Sequence, residues 1–214
     1  IASDTESNDA DLTPCEGQSA VNFNGYDYEL VEIGGQCWFA ENLQTTSFSN
    51  GDGLPHQSQL GSWSQLPSFV YPDGDFSTVS DLGLLYNWNS VADPRGLCPV
   101  GFRVPIKADF EHLIEYSGGA DVGGSALKAA ENLSNEGFWQ TAAYYSTNSS
   151  GFTAQPAGYG TNSNYYNFSQ QANFWARELQ GGNGATLQLN ADSYGAAQNI
   201  ASVGDWLSVR CIKD

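Results

Sequence analysis

The sequence has few basic residues, two histidines and no methionine. Lysine and arginine together number 7 among 214 residues, against 24 aspartate and glutamate residues, which gives a formal charge of −17 at pH 7. A chain of this charge repels nucleic acid and anionic membranes, so we expect neither as a partner. The charge is also uneven, because 14 acidic residues and no lysine or arginine precede Arg95. A bound cation is therefore expected in the first half.

Cysteine is sparse and widely spaced. Cys15, Cys37, Cys98 and Cys211 form no CxxC pair and no zinc-binding pattern with histidine. Their even number favours disulfides, with three pairings open, and disulfides indicate an extracellular or cell-surface protein. The sequence has neither a signal peptide nor an apolar run that could cross a membrane. We therefore expect an export signal upstream of residue 1 and no membrane insertion of this segment.

Histidine is too scarce to suggest a catalytic site. His112 falls on the outer side of a predicted helix and His56 in a predicted loop. Neither is accompanied by a nucleophile and an orienting group in a recognisable pattern. The sequence thus predicts a protein that is not an enzyme.

Aromatic residues and glycine are abundant, which favours short strands and many turns. The segment YDYELVEIGGQCWFAENL predicts a hairpin that turns at Gly34 and Gly35. Apolar periodicity predicts a main helix from 105 to about 117 and a short helix over 125–132. Further strands are expected over 174–178, 185–190 and 206–212, and a long loop region over 45–80. Residues 1–20 have the composition of an acidic extension or linker, and 21–214 that of one domain.

Two kinds of binding chemistry can be assigned to the predicted loops. Tyrosine and tryptophan rings stack on the faces of sugars, and amide side chains bond to their hydroxyl groups. The candidate ligand-binding residues are Trp63, Tyr71, Tyr159, Asn162, Asn164, Tyr165 and Tyr166. Carboxylate and amide oxygens beside glycine turns can also hold calcium. The candidate calcium ligands are Asn50, Asp52, Asp73 and Asp75.

Six ordered blocks carry a resemblance to a known family. They are VEIGGQCWFAENL, LGLLYNW, CPVGFRVPIKADFEHLIEYSGG, SGFTAQPAGYG, FWAREL and LSVRCIKD. In this order they resemble the Fibrobacter succinogenes major paralogous domain, from about residue 26 to 214. The resemblance implies an α+β, C-type-lectin-like domain with short antiparallel strands, one main helix, one short helix, long loops and neighbouring termini. It also implies the pairings Cys98–Cys211 and Cys15–Cys37, which would tie neighbouring blocks together.

The resemblance implies a function only in outline, because one fold supports many functions. We expect first a noncatalytic extracellular module that recognises a glycan or a surface protein, with calcium as its one candidate cofactor. The alternative is a structural subunit of a filament, pilus or surface layer, assembled from copies of itself. An enzyme similar to the formylglycine-generating group ranks third, since such an enzyme needs free cysteines for copper. The usual calcium and sugar motif of C-type lectins is missing, and Gln155-Pro156-Ala157 is the nearest string.

Overall fold

The chain forms a mixed α+β fold in which antiparallel sheets predominate over short helices. A computed structural model describes residues 13–58, 66–130, 138–140 and 145–214. The expected fold class is therefore confirmed at the level of α+β. None of the helices in these ranges combines the length and the apolar character that a membrane span requires.

The strands are short and are numbered along the chain. They are β1 (Ala20–Phe23), β2 (Tyr26–Ile33), β3 (Gln36–Phe39), β4 (Phe69–Val70), β5 (Leu85–Asn87), β6 (Phe102–Arg103), β7 (Tyr159–Gly160), β8 (Tyr165–Tyr166), β9 (Gln171–Gln180), β10 (Asn183–Asn190), β11 (Ala196–Ala201), β12 (Trp206–Leu207) and β13 (Ile212–Lys213). The described residues arrange them in three sheets, with the orders β1-β2-β3-β13-β6, β11-β10-β9 and β4-β5-β12-β7-β8.

The first sheet lies between two apolar cores, because successive residues of a strand point to opposite faces. In β3, Cys37 and Phe39 belong to one core, which we call the first core. Trp38, between them, belongs to the other, which we call the second core. The second core also contains Phe174 of β9 and Leu187 of β10. The hairpin predicted from Gly34 and Gly35 is thus confirmed, and it supplies side chains to both cores.

Helix α3 (Lys107–Tyr116) confirms the main predicted helix and covers the second core. Its buried Phe110, Leu113 and Ile114 recur on one face, and each fully buried side chain of this size stabilises the fold by about 1.5–3 kcal/mol. The helix begins after residue 106 because the Asp109 carboxylate accepts the Ile106 backbone N–H at 2.7 Å. This carboxylate also accepts from Arg103, with 2.5 Å between Nη1 and Oδ2.

The other helices are shorter. They are α1 (Val79–Leu82), α2 (Trp88–Val91) and α4 (Gly123–Leu127). The short helix predicted over 125–132 was placed too far along the chain, because Lys128 adopts extended backbone at φ −73° and ψ 141°. Lys128 there forms a parallel bridge with Ala154. Residues 131–137 lie outside the described part.

Two further predictions need correction. Region 45–80 is not only loop, because it contains β4 and two 3-10 helices, Pro72–Gly74 and Phe76–Thr78. These elements are too short to show a periodic pattern in the sequence. The strand predicted over 206–212 is two strands that join different sheets. Between them, Ser208 exchanges backbone hydrogen bonds with β9, donating to Asn173 at 3.0 Å and accepting from Trp175 at 3.1 Å.

Two disulfides secure the first core. Cys15 is bonded to Cys37 and Cys98 to Cys211, as the family resemblance implied. Cys15 is buried, so residue 15 of the acidic extension is anchored to the domain. The two ends of the described chain also meet, with 2.6 Å between Glu16 Oε2 and Lys213 Nζ.

Candidate functional site

Five of the predicted ligand-binding residues lie in one hairpin, formed by β7 and β8. They are Tyr159, Asn162, Asn164, Tyr165 and Tyr166. Tyr159 and Tyr166 are paired across the strands, and their rings stack with centroids 5.6 Å apart. The turn between the strands holds Asn162 and Asn164, and Asn164 O accepts the Thr161 backbone N–H at 2.9 Å. Tyr166 is 42% exposed, whereas Tyr165 is half-buried. The hairpin therefore exposes the Tyr166 side chain and a turn that carries Asn162 and Asn164.

The turn at Asp73 packs beside this hairpin. Gly74 lies against the Tyr165 ring, so that a Cβ atom at Gly74 would be 3.2 Å from Tyr165 Cε2. Burial raises the pKa of Tyr165, and the Asp73 carboxylate raises it further. Asp75 caps the next turn by accepting from Ser77 N at 2.8 Å. The structure thus brings the Asp73 turn and the tyrosine hairpin together.

Tyr71 packs into a separate aromatic cluster. Its ring centroid is 4.2 Å from that of His56, and the His56 ring also stacks on Phe69 at 5.3 Å. Trp63 lies outside the described residues. Tyr71 therefore contacts aromatic neighbours rather than Tyr159 or Tyr166.

The other candidate calcium pair, Asn50 and Asp52, makes hydrogen bonds and an ion pair within the protein. Asn50 donates to the Asp52 carboxylate at 3.0 Å, and Arg95 Nη1 lies 3.3 Å from Asp52 Oδ2. These contacts lower the pKa of Asp52, with the Asn50 hydrogen bond as the larger cause. Within the described ranges, no three His, Cys, Asp or Glu residues are grouped so as to hold a metal ion. Calcium at either pair stays a prediction.

A ladder of carboxamide side chains runs across the sheet of β9, β10 and β11. Gln188 Nε2 donates to Gln171 Oε1 and to Asn173 Oδ1, both at 3.2 Å. Asn199 Nδ2 donates to Gln188 Oε1 at 2.7 Å, and Gln171 Nε2 donates to Asn190 Oδ1 at 2.9 Å. These five residues form one face of the sheet, which we call the amide face. The ladder fixes the side-chain positions and leaves further donors and acceptors, because each carboxamide has four hydrogen-bonding positions.

The amide face lines two adjoining cavities, which we call together the amide groove. One cavity, of about 330 Å³, is lined by Asn173, Gln188 and Asn199, with Tyr159 and Asp205 among its other walls. The second, of about 500 Å³, is lined by Gln140, Gln170, Asn190 and Asp192. Asn167 and Gln171 line both. Each cavity has the size of a site for a small organic ligand.

A glycine places the tyrosine hairpin at the edge of the amide groove. Gly158 donates its backbone N–H to Gln171 O at 2.9 Å, which fastens the start of β7 to β9. Gly158 has a φ of +66°, and a Cβ atom there would lie 2.4 Å from Tyr166 O. Only glycine readily adopts this positive φ and leaves room for the Tyr166 carbonyl oxygen, because it has no Cβ atom. Tyr159, the next residue, therefore stands beside the amide face.

One acidic residue lines each cavity of the groove. Burial raises the pKa of Asp205 in the first cavity, although the Ser202 backbone N–H opposes this shift. Asp192 lines the second cavity, and none of the described lining residues of either cavity is lysine or arginine. Lys128 lies behind Asn190, where its Nζ donates to Asn190 O at 2.8 Å, and it is 1% exposed. The surface that a ligand meets is consequently neutral to acidic.

The amide face was not predicted from the sequence. The predicted binding residues lie in predicted loops, whereas these residues lie on strands. A signal was present, because Gln171 and Asn173, and likewise Gln188 and Asn190, are two positions apart and so share one face of a strand. Adjacent polar rows on neighbouring strands indicate a face that is not buried by a second apolar layer.

Comparison with known proteins identifies one family. The family model described as the Fibrobacter succinogenes major domain matches residues 31–213. A search of the curated proteins and a search of the solved structures found no match to the chain.

Proposed function

The chain belongs to the Fibrobacter succinogenes major domain family, and from that membership we propose that it is a noncatalytic, extracellular or cell-surface recognition module of C-type-lectin-like fold. In this proposal the module binds a glycan or a surface protein through the amide groove and the adjoining tyrosine hairpin. The observation that carries it is the groove itself, in which fixed carboxamides converge beside an aromatic residue. Binding sites characteristically combine a concave surface with a few positioned polar groups.

The state of the cysteines supports export and a role without thiol chemistry. All four are bonded in pairs, and two structural disulfides are typical of proteins that fold in an oxidising compartment. A disulfide-bonded cysteine has no thiolate for a metal or a substrate. This favours a recognition module over an enzyme of the formylglycine-generating kind.

The two histidines have contacts of a structural kind. His112 Nε2 lies 2.5 Å from Gly34 O and joins helix α3 to the hairpin turn of the first sheet. His56 stacks with Phe69 and Tyr71, and burial lowers its pKa. Both arrangements are consistent with the proposed role of the module in binding rather than catalysis.

Binding of the exported protein to arrayed glycans and to bacterial surface proteins tests this proposal. The double variant Gln188→Ala, Asn199→Ala removes two carboxamides of the groove. Gln180→Ala on the exposed end of β9 is the matched control, because it changes the same residue type on the same sheet outside the groove. Binding that falls in the double variant and not in the control supports the proposal. Equal binding by all three proteins contradicts it.

Repeating the assay with EDTA tests the calcium prediction for Asn50, Asp52, Asp73 and Asp75. Light scattering of the same samples distinguishes the alternative function, because a filament subunit would form ordered polymers. Polymers whose formation is unaffected by the groove substitutions would favour that alternative.

A further inference from the structure

The amide groove has features that narrow the class of ligand. We propose that it binds a neutral, polyhydroxylated glycan chain, laid along the amide face across both cavities. This inference rests on the proposed recognition function and adds the chemistry of the partner.

The hydrogen-bonding capacity of the carboxamides favours a ligand that carries hydroxyl groups. A carboxamide offers donors and acceptors side by side, as neighbouring hydroxyl groups of a sugar do. Among contacts between described residues, the Asn199 side chain uses one N–H in the ladder and the Asn190 side chain accepts one hydrogen bond. Their remaining donors and acceptors are available to a ligand.

The repeated carboxamides of the ladder favour a chain of sugars over a single sugar ring. Neighbouring strands are about 5 Å apart, Asn173 is paired with Gln188, and Asn199 lies diagonally from Gln188 opposite Thr186. Gln171 and Asn190 continue the ladder into the second cavity. A ligand with hydroxyl groups repeated along its length can use both cavities at once.

The surrounding charge selects against acidic sugars. Asp205 lines one cavity and Asp192 the other, and the whole chain carries a formal charge of −17. A uronic acid or a sulfated sugar would bring a further negative charge to this surface without meeting a lysine or arginine in the lining. A neutral sugar avoids this repulsion.

Tyr159 supplies the apolar contact. Its ring lines the first cavity and is held by stacking on Tyr166. A tyrosine ring fixed in this way can pack on the face of a pyranose at a small entropic cost. The groove therefore combines the two contacts that a neutral sugar requires.

Titration calorimetry with two oligosaccharides of equal length tests the inference. One is a neutral α-1,4-linked galactan, and the other is an oligogalacturonate of the same linkage, in which each C6 hydroxymethyl group is a carboxylate. A neutral glucan and a mannan extend the neutral set. We expect a neutral chain to bind at least about fivefold more tightly than the uronate at low ionic strength, with a smaller difference in high salt. Asp205→Asn should also reduce the difference, because it removes a charge and keeps an acceptor for Ser202 N.

Groove variants locate the binding. Gln188→Ala with Asn199→Ala should raise the Kd for the neutral chain at least about tenfold, and Gln180→Ala should leave it unchanged. Tyr159→Ala should weaken binding about tenfold, whereas Tyr159→Phe should keep it within about threefold. Circular dichroism of each variant establishes that a loss of binding is not a loss of fold.

The outcomes separate this inference from the function on which it rests. A preference for the uronate, or neutral binding unaffected by the groove variants, overturns the inference. Groove-dependent binding of a purified surface protein without any binding of neutral glycans overturns the inference and leaves the recognition function in place. Absence of groove-dependent binding to either class overturns both.

Discussion

The first core and the second core are stabilised by different means. All four cysteines belong to the first core, where two disulfides cross-link it. The second core contains no cysteine among its described members and instead has two buried cationic side chains, Lys128 beside it and Arg210 at its border. The amide groove lies on the sheet that covers this second core. The disulfides thus cross-link the first core, whereas the second core relies on packing and hydrogen bonds.

Removing the disulfides separately would show how strongly the first core depends on them. The loop closed by Cys98–Cys211 spans 113 residues and that closed by Cys15–Cys37 spans 22. Chain entropy predicts losses of about 5 and about 3 kcal/mol when the pairs are replaced by alanine. Urea unfolding of the two double variants measures both. A larger loss for Cys15 with Cys37 would contradict the loop-length argument.

Arg210 joins the two cores, and its removal should have the next largest effect. Its guanidinium donates to Phe39 O of the first core at 3.1 Å and to Phe152 O of the second core, and it lies 4.4 Å from the Phe152 ring centroid. Arg210→Met would leave these buried carbonyls without their donor and should lower the free energy of unfolding by about 3 kcal/mol. Urea unfolding checks this value. The exposed Arg177→Met is the control, and an equal loss in both variants would contradict a special role for Arg210.

Lys128 makes the stability of the second core dependent on pH. Burial lowers the pKa of Lys128 to about 8, below the value of about 10.4 expected in the unfolded chain. Between these values the unfolded state binds more protons, so the contribution of Lys128 to the free energy of unfolding increases with pH. From pH 8 to about pH 9.5 it should increase by about 1.5 kcal/mol. Urea unfolding across this window compares the free energy of unfolding of the native protein with that of Lys128→Met. A difference between the two that falls with pH would contradict the lowered pKa of Lys128.

The amide face should contribute least to stability. Asn199 is exposed, and its carboxamide joins the ladder through a hydrogen bond to Gln188. Asn199→Ala should change the free energy of unfolding by less than about 0.5 kcal/mol while weakening glycan binding. Thermal unfolding and calorimetry on one preparation compare the two effects. A large loss of stability would indicate a structural role for the ladder.

The sequence predicted regular features well and irregular ones poorly. Helix α3 and the hairpin at Gly34 were predictable because their apolar periodicity and turn residues agree. The disulfide pairs followed from the resemblance and not from spacing. Strand β4 and the break between β12 and β13 were missed, because strands of two residues are defined by their distant partners.

The candidate site was predictable only in part. The tyrosines at 159, 165 and 166 stood out as a cluster in the sequence, and the structure does place them in one hairpin. The carboxamides that meet Tyr159 come from separate strands, and their convergence depends on the register between β9, β10 and β11. Lys128 likewise resembles an ordinary surface residue in the sequence, and its burial follows from the bridge to Ala154.

Strand β13 has a consequence for the time at which the protein can fold. Ile212 pairs on one side with Trp38 and on the other with Arg103, so residues late in the sequence join β3 to β6 in the first sheet. Pairings between such distant residues slow folding, because a large loop must close before they form. Until residue 213 leaves the ribosome, β3 and β6 lack the strand that joins them. The first sheet is therefore completed only after β13 has been synthesised, so its five strands cannot all pair in the order in which they are made.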